Sequence, residues 1–105
     1  MRQVSAKRRA YRASDEGKDA LEYMGKVKQL PCCICGAPGP CEAHHPIHDR
    51  FGTRKSSDFD VIPLCPIHHR IGECAIHNGK ERWRERYGND YDFVEITRKK
   101  VGEME

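Results

Sequence analysis

The sequence has no long hydrophobic run, and that absence removes several classes of protein at once. No stretch approaches the roughly 20 consecutive apolar residues that a membrane-spanning helix needs. The basic start, Met1-Arg2-Gln3-Val4-Ser5-Ala6-Lys7-Arg8-Arg9, has no apolar segment behind it, so neither a secretory signal nor a membrane partner is expected. A reducing, cytoplasmic compartment follows as the expectation. Internal repeats are also absent. Only 37% of the 105 residues are hydrophobic, so one modest core is the most this chain can bury.

What the chain does have is six cysteines and six histidines. Thin cores in small domains are commonly supplemented by disulfides or by a structural metal. In a reducing compartment, C-x2-C pairs combined with histidine favour the metal. The net charge of +3 is small but uneven, with Lys7, Arg8, Arg9 and Arg12 crowding the start and Arg50, Arg54 and Lys55 grouped mid-chain. Such clusters suit a polyanion, although ordinary solvated side chains would look the same.

Four segments are predicted. Residues 1–14 are polar and basic without periodicity and read as a flexible arm. Ser14-Asp15-Glu16 starts a helix in which Ala20, Leu21, Met24, Val27 and Lys28 recur at helical spacing before Leu30-Pro31, which predicts a helix over 15–29 within a unit of 15–30. Residues 31–90 hold the core, and 91–105 form a tail whose helical or extended state the pattern leaves open. Within the core, Cys32-Cys33-Ile34-Cys35-Gly36 reads as a knuckle relieved by glycine, and Ala37-Pro38-Gly39-Pro40 as turn. Extended pieces are predicted over 41–46 and 59–64, separated by a loop with His48, Arg50, Gly52, Arg54 and Lys55 that is long enough to grip a ligand. A helix can begin at Pro66 and run through His68 and His69, weakened by Gly72 and Asn78-Gly79. Residues 80–87 form another helical run with Trp83 and Tyr87 on one face.

Four metal-ligand candidates fall into two pairs, Cys32-x2-Cys35 and Cys65-x2-His68. One pair sits on a knuckle and the other at the first turn of a helix, the treble-clef way of clamping two distant segments around a tetrahedral zinc ion. Cys33 would shorten the spacing to C-x-C and receives no ligand role. Cys74, on a helix, reads as a small buried hydrophobe. Cys41 stays open as a substitute for one of the four ligands.

Of the five histidines outside this clamp, His44, His45 and His69 lie where they can act together. Adjacent helix residues point about 100° apart, so His68 can face the clamp while His69 faces the hairpin. His44 and His45 would diverge in a regular strand, but Pro46 ends it and lets both reach one pocket.

Taken in order, Cys32-x2-Cys35, Ala43-His44-His45-Pro46 and Ile62-Pro63-Leu64-Cys65-x2-His68-His69 resemble the HNH (ββα-metal) endonucleases over roughly residues 30–77. The fold so implied is α+β, a small treble-clef domain with flanking helices stabilised by structural zinc. The resemblance implies that His45 is the general base, that His44 and His69 hold a catalytic Mg2+ or another divalent ion, and that the products carry 5′-phosphate and 3′-hydroxyl ends. The usual Asn, five residues before the cysteine, is replaced by Asp60, an aspartate that can still orient the base or bind metal and so stays a catalytic candidate. A finer likeness, to phage-encoded nucleases similar to the RecA-dependent Ref type, rests on Lys55-x2-Asp58-x3-Ile62-Pro63-Leu64-Cys65 and His68-His69-Arg70-x-Gly72-x2-Ala75-x-His77. It marks Asp58 as the acid, preferred for a structural or orienting role, and adds His77 to the metal-binding set, a residue that packing would explain equally well.

A phosphodiester repels nucleophiles with its anionic oxygens, so its hydrolysis calls for a positioned base and a cation on the leaving side. Histidine titrates near neutrality and suits the first task. Arg50, Arg54, Lys55 and Arg70 can neutralise backbone phosphates without reading sequence, which implies a DNA partner and low intrinsic specificity. Phage or prophage DNA processing in a bacterial or phage-infected cell, with a recombination or DNA-processing protein as a further partner, is the expected setting. The rival readings are a noncatalytic treble-clef zinc module binding nucleic acid or protein, which leaves the surplus histidines unexplained, and a redox protein using Cys32-x2-Cys35, which lacks the alternating strand and helix pattern.

Overall fold

A computed structural model describes Ala10 and residues 14–48 and 57–104. Apart from Ala10 and Ser14, the basic arm lies outside the described residues, as do the loop residues Arg50, Arg54 and Lys55.

Helix α1 spans Asp15–Gln29. It starts where Ser14 Oγ accepts the Gly17 N–H at 3.1 Å, with Asp15 and Glu16 in the positive first turn and Lys26 and Lys28 in the last. Its buried positions, Gly17, Ala20 and Val27, share one face. Next comes the knuckle, a turn over residues 33–35 in which Gly36 takes φ +74° and its N–H closes onto the Cys32 carbonyl at 2.9 Å.

The sheet has two antiparallel strands, β1 (Glu42–His44) and β2 (Ile62–Leu64), registered Glu42↔Leu64, Ala43↔Pro63 and His44↔Ile62. Both are shorter than the predicted 41–46 and 59–64. Phe59 belongs instead to a 3-10 turn, Asp58–Asp60, because Ser57 Oγ accepts the Phe59 N–H at 3.1 Å and the Ser57 carbonyl accepts the Asp60 N–H. The Pro63 carbonyl accepts the Cys33 N–H at 3.0 Å, tying the knuckle to β2.

The segment after Pro66 is not an ordinary α-helix. Residues Ile67–Ile71 form a π-turn, closed by Gly72 N–H on the Ile67 carbonyl. Another 3-10 turn follows at Ile76–Asn78, then α2 (Lys80–Tyr87), a further 3-10 turn at Asp90–Phe93 and α3 (Val94–Glu103). Cys74 therefore sits in a turn, half-buried, where its sulfur accepts an N–H from Arg86 at 3.1 Å. The predicted tail is helical and buries Val94, Thr97 and Val101.

Side-chain alternation along β2 divides the apolar interior. Ile62 and Leu64 join Cys32, Cys41, Cys65, Ile76, Trp83 and Val94, whereas Val61 turns the other way to meet Val27, Leu30 and Val101. Each large side chain here contributes roughly 1.5–3 kcal/mol of burial. The strand pair is thus a thin partition, and β1 presents Glu42 and His44, its two end residues, to His69 in the segment after Cys65. No helix among the described residues is long and apolar enough to cross a membrane.

Candidate functional site

Two clusters of metal-capable side chains lie on either side of the π-turn. In the first, Cys32, Cys35, Cys65 and His68 bring their ligand atoms within 4.8 Å of one another. Two thiolates, each about 2.3 Å from a tetrahedral zinc ion, stand about 3.8 Å apart. Cys35 Sγ and Cys65 Sγ are separated by 3.8 Å, and His68 Nδ1 lies 3.2 Å from Cys65 Sγ. The donor set and its spacing fit zinc, so this cluster can hold such an ion.

The electrostatics separate ligand from bystander. Burial would raise the Cys32 thiol, but the backbone N–H groups of Cys35, Cys65 and Ile34 bring it below its ordinary range. Its neighbour Cys33 is pushed up to about 12, chiefly by burial and also by the Cys32 charge, and stays a thiol. Burial also raises Cys41, which points its sulfur at the Ala37 carbonyl (3.9 Å) and stands outside the four-ligand group. Cys65 is pushed up to about 11 by burial and by the neighbouring sulfurs of Cys35 and Cys32. A dication relieves that crowding of negative charge.

The second cluster is His44, His69 and His77, whose ligand nitrogens also lie within 4.8 Å of one another. Their ring centroids are 5.1 Å (His44–His69), 5.3 Å (His44–His77) and 4.7 Å (His69–His77) apart. His77 arrives by the 3-10 turn Ile76–Asn78, after the helical segment from Pro66 has ended at Gly72.

Carboxylates set the tautomers of this cluster. His44 Nε2 lies 3.0 Å from Asp90 Oδ2, and since a carboxylate only accepts, the ring proton sits on Nε2 and Nδ1 keeps its lone pair. His69 Nδ1 donates to Glu42 Oε1 at 2.8 Å, leaving a lone pair on Nε2, which faces His77 Nε2 at 3.0 Å. Two such nitrogens approach this closely only with a proton or a cation between them. Imidazoles that donate their other N–H to a carboxylate are the common ligands of transition ions.

Asp90 is fully buried. Besides His44 it accepts the N–H groups of Ile47 (2.7 Å) and His48 (3.2 Å). Burial alone would raise its carboxyl, but the bonds from His44 and Ile47 and the nearby His48 outweigh it and hold the group below the usual range. His44 also lies below its ordinary range, because burial disfavours the imidazolium more than Asp90 supports it, and a neutral ring is the form that binds metal. Glu42 is held low despite burial by the hydrogen bonds of His69 and Arg70.

His45 is not part of the three-histidine cluster. Its Nε2 donates to Asp58 Oδ1 at 2.7 Å, so in the neutral ring Nδ1 is the nitrogen that carries the lone pair. Asp60, two residues on, faces the other way and pairs with Arg98. His48, expected in a ligand-gripping loop, is buried and has both ring nitrogens engaged: Nδ1 accepts the Asp90 N–H at 2.9 Å and Nε2 donates to the Lys80 carbonyl at 2.9 Å. Arg70 donates through Nε to both Glu42 oxygens, at 3.1 and 2.8 Å. Glu42 and Asp90 escaped the sequence reading, which had only spacing to go on; their partners are 27 and 46 residues away.

The chain belongs to the family described as a protein of unknown function, DUF968, whose model matches residues 12–100. That span includes both clusters and most of α3. No curated protein and no solved structure matches the chain.

Proposed function

We propose that this protein is a metal-dependent endonuclease of the HNH type that hydrolyses DNA phosphodiester bonds with little intrinsic sequence preference. The observation that carries this reading is the pairing of His45 with Asp58 immediately beside a three-imidazole cluster. A histidine held by a carboxylate and a member of a cluster able to hold a cation are thereby consecutive residues, His45 and His44, which supports a base acting beside an ion.

In this mechanism His44, His69 and His77 hold the divalent ion. Bound there, the ion supplies Lewis-acid stabilisation of the phosphate and of the departing 3′ oxygen. Asp58 fixes the His45 ring with its proton on Nε2, so that Nδ1 takes a proton from water as the water oxygen attacks phosphorus. Glu42 and Asp90 keep the lone pairs of His69 and His44 directed into the cluster. Arg70, already anchored on Glu42 through Nε, keeps its terminal amines for phosphate oxygens.

The donor set also bears on the ion. Mg2+ takes oxygen ligands in octahedral geometry, whereas three imidazoles suit zinc, nickel or cobalt. The two nearby carboxylates, Glu42 and Asp90, are committed to histidine N–H groups, which within the expected Mg2+ or another divalent ion favours a transition ion.

The test is incubation of the purified protein with supercoiled plasmid across Mg2+, Mn2+, Co2+, Ni2+ and Zn2+. Nicking should be strongest with the imidazole-preferring ions. His45→Ala should lower cleavage by roughly 10²–10⁴-fold at unchanged DNA affinity. His69→Ala should lose activity through the ion and regain part of it at high metal concentration. A parent protein that cuts neither DNA nor RNA with any ion points to the noncatalytic zinc module instead.

A further inference from the structure

The 3-10 turn that carries Asp58 is too short to hold its own position. It has three residues and one closing backbone bond, Asp60 N–H to the Ser57 carbonyl at 3.0 Å. Two helices distant in sequence grip it from outside. On the α1 side the Tyr23 ring packs against Phe59 at a centroid distance of 5.6 Å. On the α3 side Arg98 donates through Nε to the Phe59 carbonyl at 3.1 Å and through a terminal amine to the Asp60 carboxylate.

We propose that Arg98 is a positioning residue for His45, acting through the Asp58–Asp60 turn. The guanidinium fork spans two consecutive residues of the turn and so fixes its orientation as well as its place, which a single point charge would not do. The anchor itself is firm, because Arg98 follows the buried Thr97, whose Oγ1 donates at 2.7 Å to the carbonyl of Phe93, the residue before α3, and α3 is held by Val94 and Val101 in the two cores. Asp58, at the start of the same turn, reaches His45 at 2.7 Å, so a rotation of the turn is passed directly to the imidazole. Asp60 thus orients the base indirectly, as the acceptor for Arg98.

Half of the Arg98 side chain is exposed, so its ion pair adds little stability and its removal should leave the fold intact. The catalytic consequence rests on the nuclease reading, whereas the positional one does not, and two measurements keep them apart. The first is 15N NMR of the His45 ring in the metal-loaded protein, assigned with His45→Gln. Arg98→Ala should shift the Nε2 and Nδ1 resonances away from the single hydrogen-bonded tautomer, Arg98→Lys should restore them only in part, and the melting temperature should stay near that of the parent. The second is plasmid cleavage, where Arg98→Ala should lower kcat about 10–100-fold with KM unchanged. In an Asp58→Asn background the same change should have no further effect, since it acts through Asp58.

Unchanged ring resonances in Arg98→Ala overturn the proposal, as does a full additional loss of kcat in the Asp58→Asn background. If no variant or parent cleaves while the resonances move as expected, the nuclease reading fails and the positioning role of Arg98 stands.

Discussion

The two metal-capable clusters meet at adjacent residues, His68 and His69 of one π-turn, yet they are built on opposite principles. The first has four donors, three of them sulfur, with Cys32 and Cys65 buried. Backbone N–H groups support its charge, and its four donors satisfy a tetrahedral ion completely. The second has three donors, all imidazole, running from buried His44 through half-buried His69 to exposed His77, and carboxylates support it. Three donors leave a coordination position open toward solvent. A closed site suits stability and an open one suits chemistry, and the roles we propose for the two clusters follow that difference in donor count and exposure.

The sharpest way to break this contrast is to remove a sulfur. Structural zinc is worth roughly 10–16 kcal/mol of apparent binding energy, comparable to or above the whole stability of a small domain. Cys65→Ala should therefore abolish the cooperative melting transition and lower zinc content by about one ion per chain, as read by circular dichroism and elemental analysis. Full zinc content with an unchanged transition would dismiss the clamp.

A smaller effect is expected at the second cluster. Asp90→Asn replaces the carboxylate that receives the His44 N–H, and should weaken binding of Co2+ or Ni2+ about 10–100-fold in calorimetric titration while the zinc of the first cluster is retained. Equal affinity in the variant and the parent would show that Asp90 only braces the Ile47 and His48 backbone.

The smallest change concerns the adjacent pair Cys32 and Cys33. With its thiol pushed up to about 12, Cys33 is almost wholly protonated near pH 8 and should resist alkylation by iodoacetamide. Cys33→Ala should keep the full zinc content and cost no more than about 1 kcal/mol of stability. Loss of zinc in this variant would exchange the roles of the two residues.

These features were legible in the sequence to very different degrees, for reasons of distance along the chain. The clamp consists of two local pairs, each closed by two intervening residues, and α1 follows from an unbroken helical period with Ser14 as its cap. The grouping of His44 with His69 came from family spacing. Their carboxylate partners did not, because Glu42 and Asp90 look like ordinary surface acids until the hairpin and the Asp90–Phe93 turn are in place. Asp58 and Asp60 could not be told apart by spacing, and only the capped 3-10 turn sends one to His45 and the other to Arg98. The tail lacks a strong pattern because α3 divides its buried residues between two cores.

The three-residue register of β1 on β2 has one more consequence, for how such a sequence can drift. His44 pairs with Ile62, and a one-residue slip of β1 would turn the buried His44 outward and bring His45 in, exchanging the proposed metal ligand for the proposed base, whereas a slip of β2 would expel Ile62 and Leu64 from the interior. Single insertions or deletions within residues 42–46 or 61–65 should therefore disrupt both the packing and the proposed site. Length variation among homologues should be excluded from those two segments and gather in the connection between His48 and Ser57.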